Sequence, residues 1–563
     1  MQFSSLPEVL FHQAERLGPR PAIRFKKNGL YHSITWLEYA QDAKACAAAL
    51  IQAGAAFGDR VGILAENRPE WLAADMGLMT AGAINVPLHA PLTGRQIHFQ
   101  LAETETRFLF VSTPEQLEKV KQIADELPSL QAVILMDAGT GPITGQPLGA
   151  KVALVPWDGF LQGGRAALQH LTTETDKRLK RLGHEDLATI MYTSGTTGNP
   201  KGVMLTHGNL VSNASASLEV QPLDYSHVLL NWLPLSHIFA RTVDHYQTLI
   251  AGTDLVLAES ADTVMLNVQE VQPTHLACVP RLYEKVLSAV ASPDPEVTRK
   301  RLRAAFGTRI YWLSSGGAAL PVGIATVYAE AKLPLYQGYG LTETSPVVSF
   351  NRPWANKVGT VGQALPGVDI KIGSDGEVIC RGPNIMKGYY RNPEATADVL
   401  HDGWFSTGDL GQLDAEGYLS ITGRKKELMV LSNGKKLVPS HLEGLLVEDD
   451  CIDQAAIYGE GRNYVSALIV PHWDNLRKAL QSRGIEIENW TPAVAAAHPE
   501  VLRFLRERID HQLAHVSNWE QVKKFVVLTQ PFSIAAEELT VSLKLRREVV
   551  LAHHAKELEA LYA

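Results

Sequence analysis

The chain carries Tyr192-Thr193-Ser194-Gly195-Thr196-Thr197-Gly198-Asn199-Pro200-Lys201-Gly202 between two apolar stretches, 187–191 and 203–205. Its three glycines and four Ser/Thr hydroxyls let backbone N–H groups and Oγ atoms converge on an anion, and Lys201 adds a fixed positive charge. The pattern predicts a hairpin whose loop grips a polyphosphate. It is not a Walker A loop, because the lysine comes late after Gly198 and is followed by Gly202, so no hydroxyl is placed for Mg²⁺. A flexible Gly/Ser/Thr tether has the same composition, but strand-like flanks and the Pro-Lys-Gly exit favour an ordered turn.

Working outward, helical and extended patterns alternate. Residues 37–53 are Ala/Leu-rich, with Thr35 and Glu38 as a capping box and Gly54 as a stop; 60–64 reads as a strand and 71–81 as the next helix. Residues 139–149, rich in Gly, Pro and Thr, read as a surface loop. After the hairpin come apolar runs at 228–233, 254–258, 275–279, 310–314 and 333–337, each closed by a turn or polar cluster. This is the texture of parallel α/β layers, whose ligands sit at the carboxyl ends of strands. The residues that follow those strands are Pro234-Leu235-Ser236-His237, Pro280-Arg281, Ser315-Gly316-Gly317-Ala318 and Gly338-Tyr339-Gly340-Leu341-Thr342-Glu343.

From about 355 to 420 the extended runs shorten to 368–372, 377–381 and 418–422, with Asp375-Gly376 and Glu416-Gly417 as hairpin turns. The remainder mixes strands at 454–458, 465–470 and 523–528 with helices at 501–515 and 546–560. The expected organisation is an α/β N-terminal domain over 1–422 and a smaller α+β lid over 423–563, with a hinge near 423–427.

A chain of 563 residues with 45% apolar and 20% charged residues is ordinary globular protein, long enough for more than one core. Its net charge of −8 argues against a nucleic-acid binder but leaves room for a small anionic ligand in a local pocket. Cys46, Cys278, Cys380 and Cys451 form no CxxC or Cys/His pair and read as buried free thiols, with neither disulfides nor a zinc site. The first residues lack a basic stretch followed by an apolar one, and no apolar run reaches the roughly 18 residues of a spanning helix. A cytoplasmic location is expected, with transient contact at the inner membrane face compatible with it.

Several segments carry candidate chemistry, each with a plainer reading beside it. In Gly338-Tyr339-Gly340-Leu341-Thr342-Glu343 the aromatic suits a purine, the hydroxyl a phosphate and the carboxylate Mg²⁺; the alternative is a tight turn with a solvated Glu. Asp409, in Ser406-Thr407-Gly408-Asp409, either accepts from vicinal ribose hydroxyls or caps its own turn. Gly423-Arg424-Lys425-Lys426-Glu427 and Ser432-Asn433-Gly434-Lys435-Lys436 suit a hinge that also meets an anion, although Lys425, Lys435 and Lys436 read as solvated. Lys544 stands in an apolar setting before the last helix, as a mobile charge or a surface lysine. His207, His245, His553 and His554 show no metal-ligand spacing and read as structural or exposed. Trp232 and Phe239 flank His237 as acyl-tunnel or core residues.

Taken together and in order, these motifs resemble the adenylate-forming superfamily of acyl-CoA synthetases, adenylation domains and luciferases. Leu233-Pro234-Leu235-Ser236-His237, Val279-Pro280-Arg281-Leu282-Tyr283, the stretch 425–439 and Leu543-Lys544-Leu545-Arg546-Arg547 resemble its long-chain fatty acyl-CoA synthetase branch. Ser542, where that branch often has Thr, and Glu548, where Pro is common, are the departures. The resemblance implies two α/β subdomains plus a small β-barrel-like part, a mobile lid, and ATP, Mg²⁺, a fatty acid and coenzyme A as ligands. It implies that Thr193, Ser194, Gly195, Thr196, Thr197, Gly198 and Lys201 hold the β- and γ-phosphates and that Glu343 holds Mg²⁺. Tyr339 would stack on adenine beside Gly317, Ala318, Gly338 and Gly340, with Asp409 and Arg424 on the ribose and Thr342 at the α-phosphate. Lys544 would bridge the carboxylate and α-phosphate, with His237 near the carboxyl group. Lys426 would be the hinge, and Ser432, Asn433 and Gly434 would line the CoA tunnel. An acyl-AMP ligase serving a carrier-protein thiol and a non-catalytic nucleotide sensor are the competing expectations.

Overall fold

Two large, mostly parallel sheets form the bulk of the chain. The computed structural model describes residues 3–137, 148, 151–193, 200–540 and 545–562. The first sheet has eight strands. Its parallel part is Ile84–Leu88, Arg60–Leu64, Phe108–Val111, Ala132–Leu135 and Ala153–Pro156, joined by Leu187–Thr193. Leu187–Thr193 then turns back antiparallel into Lys201–Thr206, with Thr193 opposite Lys201. The expected hairpin is therefore present; its tip, Ser194 to Asn199, lies outside the described residues.

The second sheet has nine strands. Val228–Asn231, Asp254–Leu257, His275–Cys278, Trp312–Ser315 and Leu335–Gly340 run parallel. They match the five predicted runs to within a few residues. Their ladder extends at one edge through antiparallel Val347–Phe350, and at the other through Pro21–Lys27, which pairs parallel with Asp254–Leu257. The N-terminal strands thus cross to the second sheet. The helix Trp36–Gln52 starts at the predicted capping box, with Thr35 Oγ1 accepting from Glu38 N and the Glu38 carboxylate accepting from Thr35 N. Alanines on its inner face let it pack closely on Trp157–Arg181, where a Cβ at Gly164 would stand 2.0 Å from the Ala45 carbonyl oxygen.

A five-stranded antiparallel sheet follows, built on Asp369–Ile372, Glu377–Arg381 and the long strand Trp404–Leu413, with Leu419–Arg424 beside it. The short turn Lys425–Glu427 leads on from it. From Met429 onward the chain builds an apolar core of its own around Leu442, Ile457, Leu476, Phe504 and Ile509. Its sheet is Ile452–Tyr458, Val465–Pro471 and Val522–Val527. The helix expected over 546–560 is two, Arg547–His553 and Ala555–Ala560, interrupted at His554. All four cysteines are buried free thiols. No helix among the described residues is long and apolar enough to cross a membrane.

One helical stretch departs from α geometry. Ala240–Tyr246 is a π-helix that follows directly on His237 and Phe239. It buries Arg241 completely against Asp75, also fully buried, at 2.5 Å. Asp75 further accepts from Asn85 Nδ2 and, at 3.0 Å, from Tyr246 Oη. His245 Nε2 meets Tyr39 Oη at 2.9 Å. This buried polar cluster ties the π-helix to the helix Pro69–Thr80, next to the wall that Phe239 presents.

Candidate active site

A cleft of about 1410 Å³ opens where the carboxyl ends of both sheets, the small antiparallel sheet and residues 534–540 and 545–546 converge. On one wall, Tyr339 Oη donates to Asp409 Oδ2 at 2.6 Å, and Arg424 Nε reaches Asp409 Oδ1 at 2.9 Å. The register explains the second contact, because Asp409 and Arg424 are directly opposed in the ladder of Trp404–Leu413 and Leu419–Arg424. Asp409 is 3% exposed, so both oxygens of a buried carboxylate are engaged. Burial first and the Asp409 charge second hold the Tyr339 phenol well above its usual range, so it remains a donor. Its ring forms part of the cleft wall together with Gly317, Gly338 and Gly340. Gly340 is required where it stands, as a Cβ there would lie 1.8 Å from the Pro346 carbonyl oxygen.

Glu343 lies further along the same wall, after Thr342 in the turn Thr342–Thr344. Its Oε1 accepts from Tyr389 Oη at 2.9 Å, and Lys201 Nζ stands 4.7 Å above the Tyr389 ring. Tyr389 therefore links the lysine at the hairpin exit to the acid. Burial and the nearby Glu343 push its phenol pKa upward, keeping the proton that makes the bond. The arrangement leaves Glu343 Oε2 without a bond to Tyr389, in keeping with Mg²⁺, which takes one or two carboxylate oxygens and completes its shell with phosphate and water.

His237 also lines the cleft. Its Nδ1 accepts from Phe239 N at 3.2 Å, and its ring stacks on His89 with centroids 6.3 Å apart. His89 Nδ1 meets Ser236 Oγ at 2.7 Å, and burial pulls its pKa down to about 4, so it is neutral near neutrality. Lys201, Gly317, Gly338, Tyr339, Gly340, Thr342, Glu343, His237 and Arg424 all border one cavity, and Asp409 meets it through Tyr339 and Arg424. Ala318 is exposed beside Gly317, outside the lining. Ser432, Asn433 and Gly434 form an exposed turn, with Gly434 N donating to Leu431 O at 2.8 Å, and do not reach the cleft. Ser194, Gly195, Thr196, Thr197, Gly198 and Lys544 lie outside the described residues; Leu545 and Arg546, directly after Lys544, border the cleft. Lys426 lies in the turn Lys425–Glu427.

Lys425 is exposed, as expected, with 48% of its side chain accessible, and it is also ion-paired. It pairs with Asp375 at 2.6 Å and Glu377 at 3.0 Å, drawn there because the hairpin turn at Gly376 brings two acids beside the turn Lys425–Glu427. Lys435 lies over the Trp519 ring at 4.6 Å. Glu377 also accepts from Gly408 N at 2.8 Å and so holds the turn before Asp409. Neither Glu377 nor Tyr389 stood out in the sequence, although Gly388-Tyr389-Tyr390 places aromatics beside a glycine much as Gly338-Tyr339-Gly340 does. Across the boundary of the two cores, Arg281 on the helix Pro280–Val290 meets Asp453 at 2.5 Å, with 59% of the Arg281 side chain exposed. Among the described residues, the one trio of close metal-type donors is Asp449, Asp450 and Cys451, where Arg508 binds both carboxylates.

The cleft thus gathers a buried acid held by a tyrosine and an arginine, a second acid held by Tyr389, and the lysine at the hairpin exit. The chain belongs to the AMP-binding enzyme family: that family's model matches residues 10–390, and the model of the AMP-binding enzyme C-terminal domain matches residues 426–563. It is 31% identical over 580 residues to the long-chain-fatty-acid–CoA ligase FadD15 of Mycobacterium bovis, covering 95% of this chain and 93% of that protein. It is 28% identical to the long-chain-fatty-acid–CoA ligase heimdall of Drosophila melanogaster, covering 99% of this chain and 95% of that one. Among solved structures, the anthranilate CoA ligase AuaEII in complex with anthranoyl-AMP shares the fold with a TM-score of 0.79 at 20% identity, over 100% of this chain and 99% of that one.

Proposed function

We propose that the protein is an AMP-forming fatty acid–CoA ligase acting on long- or medium-chain acids. The observation that carries the reading is the continuity of one cleft. The Tyr339–Asp409–Arg424 cluster and Glu343 occupy its polar side, while Val220, Phe239, Val243, Val347 and Phe350 give the other side apolar walls. A nucleotide and an alkyl chain thus have adjoining places, and full-length relatives are named as fatty acid–CoA ligases.

A carboxylate is a poor acyl donor because its leaving group is oxide. Its oxygen therefore attacks the α-phosphorus of ATP, the bond to the β-phosphate oxygen breaks, and pyrophosphate leaves with the electron pair. Thr193 to Gly198 and Lys201 hold the β- and γ-phosphates, and Tyr339 stacks on adenine against Gly317, Gly338 and Gly340. Asp409 and Arg424 take the ribose, Thr342 contacts the α-phosphate, and His237 sits by the carboxyl group. Mg²⁺ on Glu343, when bound, neutralises phosphate charge. Lys544 bridges the carboxylate and α-phosphate as charge builds there.

The chain divides into 1–422 and a mobile lid, 423–563. In the second half-reaction the lid turns about Lys426 and withdraws Lys544. Ser432, Asn433 and Gly434 then line the pantetheine tunnel, and the thiolate of coenzyme A attacks the acyl carbon and expels AMP. The exposed position of that turn suits a segment that moves in later. We place the reaction in the cytoplasm, with transient contact at the membrane face from which the fatty acid comes. Incubation with fatty acid, ATP and coenzyme A should yield AMP and acyl-CoA together. AMP without free acyl-CoA would point to a carrier-protein acceptor, and the absence of AMP to a nucleotide sensor.

A further inference from the structure

Asp409 is aimed by an irregularity in its strand. In the ladder of Glu377–Arg381 with Trp404–Leu413, Ile379 pairs with Ser406 and Glu377 with Leu410, so Thr407, Gly408 and Asp409 stand opposite Val378 alone. A bulge of this kind re-aims a side chain and leaves backbone N–H groups without ladder partners. Side chains take them instead. Asp409 N donates to Thr407 Oγ1 at 3.1 Å, and that hydroxyl in turn donates to Val378 O at 2.7 Å. Gly408 N donates to Glu377 Oε1 at 2.8 Å.

Glu377 is bound on both oxygens, since its Oε2 accepts from Lys425 Nζ at 3.0 Å. The lysine directly follows Arg424, whose Nε holds Asp409 Oδ1. A closed ring results, running from Asp409 through Arg424, Lys425, Glu377 and Gly408 back to Asp409. Glu377 is 8% exposed, so its charge is costly there without bonded partners. A neutral acceptor would satisfy Gly408 N with less desolvation; the charge adds the tie to Lys425.

Resting on the placement of ribose at Asp409 in the reading above, we infer that Glu377 is a positioning residue for the nucleotide. It holds the bulge that aims the Asp409 carboxylate, and Lys425 supplies its counter-charge. Both Glu377 oxygens are taken by the protein, so it acts on the ribose through Asp409 and not by touching it. A carboxylate held in one orientation accepts from two vicinal hydroxyls, and a nucleotide that lacks one of them leaves a buried acceptor short. Discrimination against 2′-deoxyATP therefore measures the aim of Asp409, whereas overall affinity does not.

The test is equilibrium binding of ATP and 2′-deoxyATP to the full chain, with pyrophosphate release from octadecanoic acid and ATP read beside it. The unaltered chain should bind ATP about tenfold or more tightly than 2′-deoxyATP. Glu377→Gln, which keeps the shape and loses the charge, should weaken ATP about fivefold and 2′-deoxyATP little, bringing their ratio toward one. Lys425→Met, which leaves the bulge residues untouched, should lower the ratio about twofold, and Lys425→Arg should restore it. Equal weakening of both nucleotides by Glu377→Gln, or no preference in the unaltered chain, would overturn this inference while the pyrophosphate assay judges the ligase reading separately. The expected ratios without pyrophosphate release would overturn the ligase reading and leave the role of Glu377 standing.

Discussion

Tyr339 and Asp409 meet through a 2.6 Å hydrogen bond that joins the second parallel sheet to the small antiparallel sheet. The bond fixes an aromatic face and a carboxylate in one frame before any ligand arrives. Tyr339→Phe keeps the ring and removes one of two anchors on Asp409, a loss of about 1 kcal/mol with Arg424 still in place. KM for ATP should rise about fivefold with kcat changed less. An equal loss in kcat at saturating ATP would contradict a binding role.

Tyr389 stands between Lys201 and Glu343. Tyr389→Phe leaves the ring under the Lys201 ammonium but frees the acid, and should raise the Mg²⁺ concentration for half-maximal pyrophosphate release about fivefold. Glu343→Gln should lower the rate by about two orders at any Mg²⁺ concentration. A Mg²⁺ titration of the two variants separates positioning from direct contact.

Lys544→Ala should depress adenylate formation by about two to four orders. Thioester formation from preformed acyl-adenylate should persist if, as proposed, the lysine has withdrawn before that step. Pyrophosphate exchange and single-turnover thiolysis, measured side by side, decide the matter; equal damage to both would refute the exchange of lid segments.

Buried titratable groups shape the pH dependence of stability. Burial pulls His89 and His245 down to about 4 and His207 and His275 to about 3. The unfolded chain binds protons at these sites below about 6.5 while the folded one does not, so their stabilisation is lost as pH falls. Asp244 behaves oppositely: burial raises it to about 8, so the folded state holds a proton that the unfolded state has released. Stability should therefore decline on the order of 1 kcal/mol per pH unit as pH climbs from about 6.5 toward 8. Asp244→Asn should flatten that limb in urea denaturation series; an unchanged slope would show that another group carries it.

Much of the scaffold was legible because its signals are local. The box Thr35–Glu38 and the hairpin flanks are decided within a few residues, and the five parallel strands of the second sheet by apolar runs. Long-range pairing was not. Nothing near Pro21–Lys27 says that it will join Asp254–Leu257, and nothing in the periodicity of 240–246 distinguishes a π-helix from an α-helix. The burial of Arg241 follows from Asp75, which is remote in sequence. In the cleft, Tyr339, Glu343, Asp409 and Arg424 announce themselves through glycine-punctuated turns, whereas Tyr389 and Glu377 act by supporting those residues and bear no signature of their own.

The pair Arg281–Asp453 crosses between the two cores with most of the arginine in solvent. An exposed ion pair of this kind contributes at most about 1 kcal/mol and is weakened by salt. It is a bias and not a lock. If the two parts rearrange between half-reactions as proposed, this pair would oppose the change only weakly, and the occupant of the cleft would weigh more in setting which half-reaction follows.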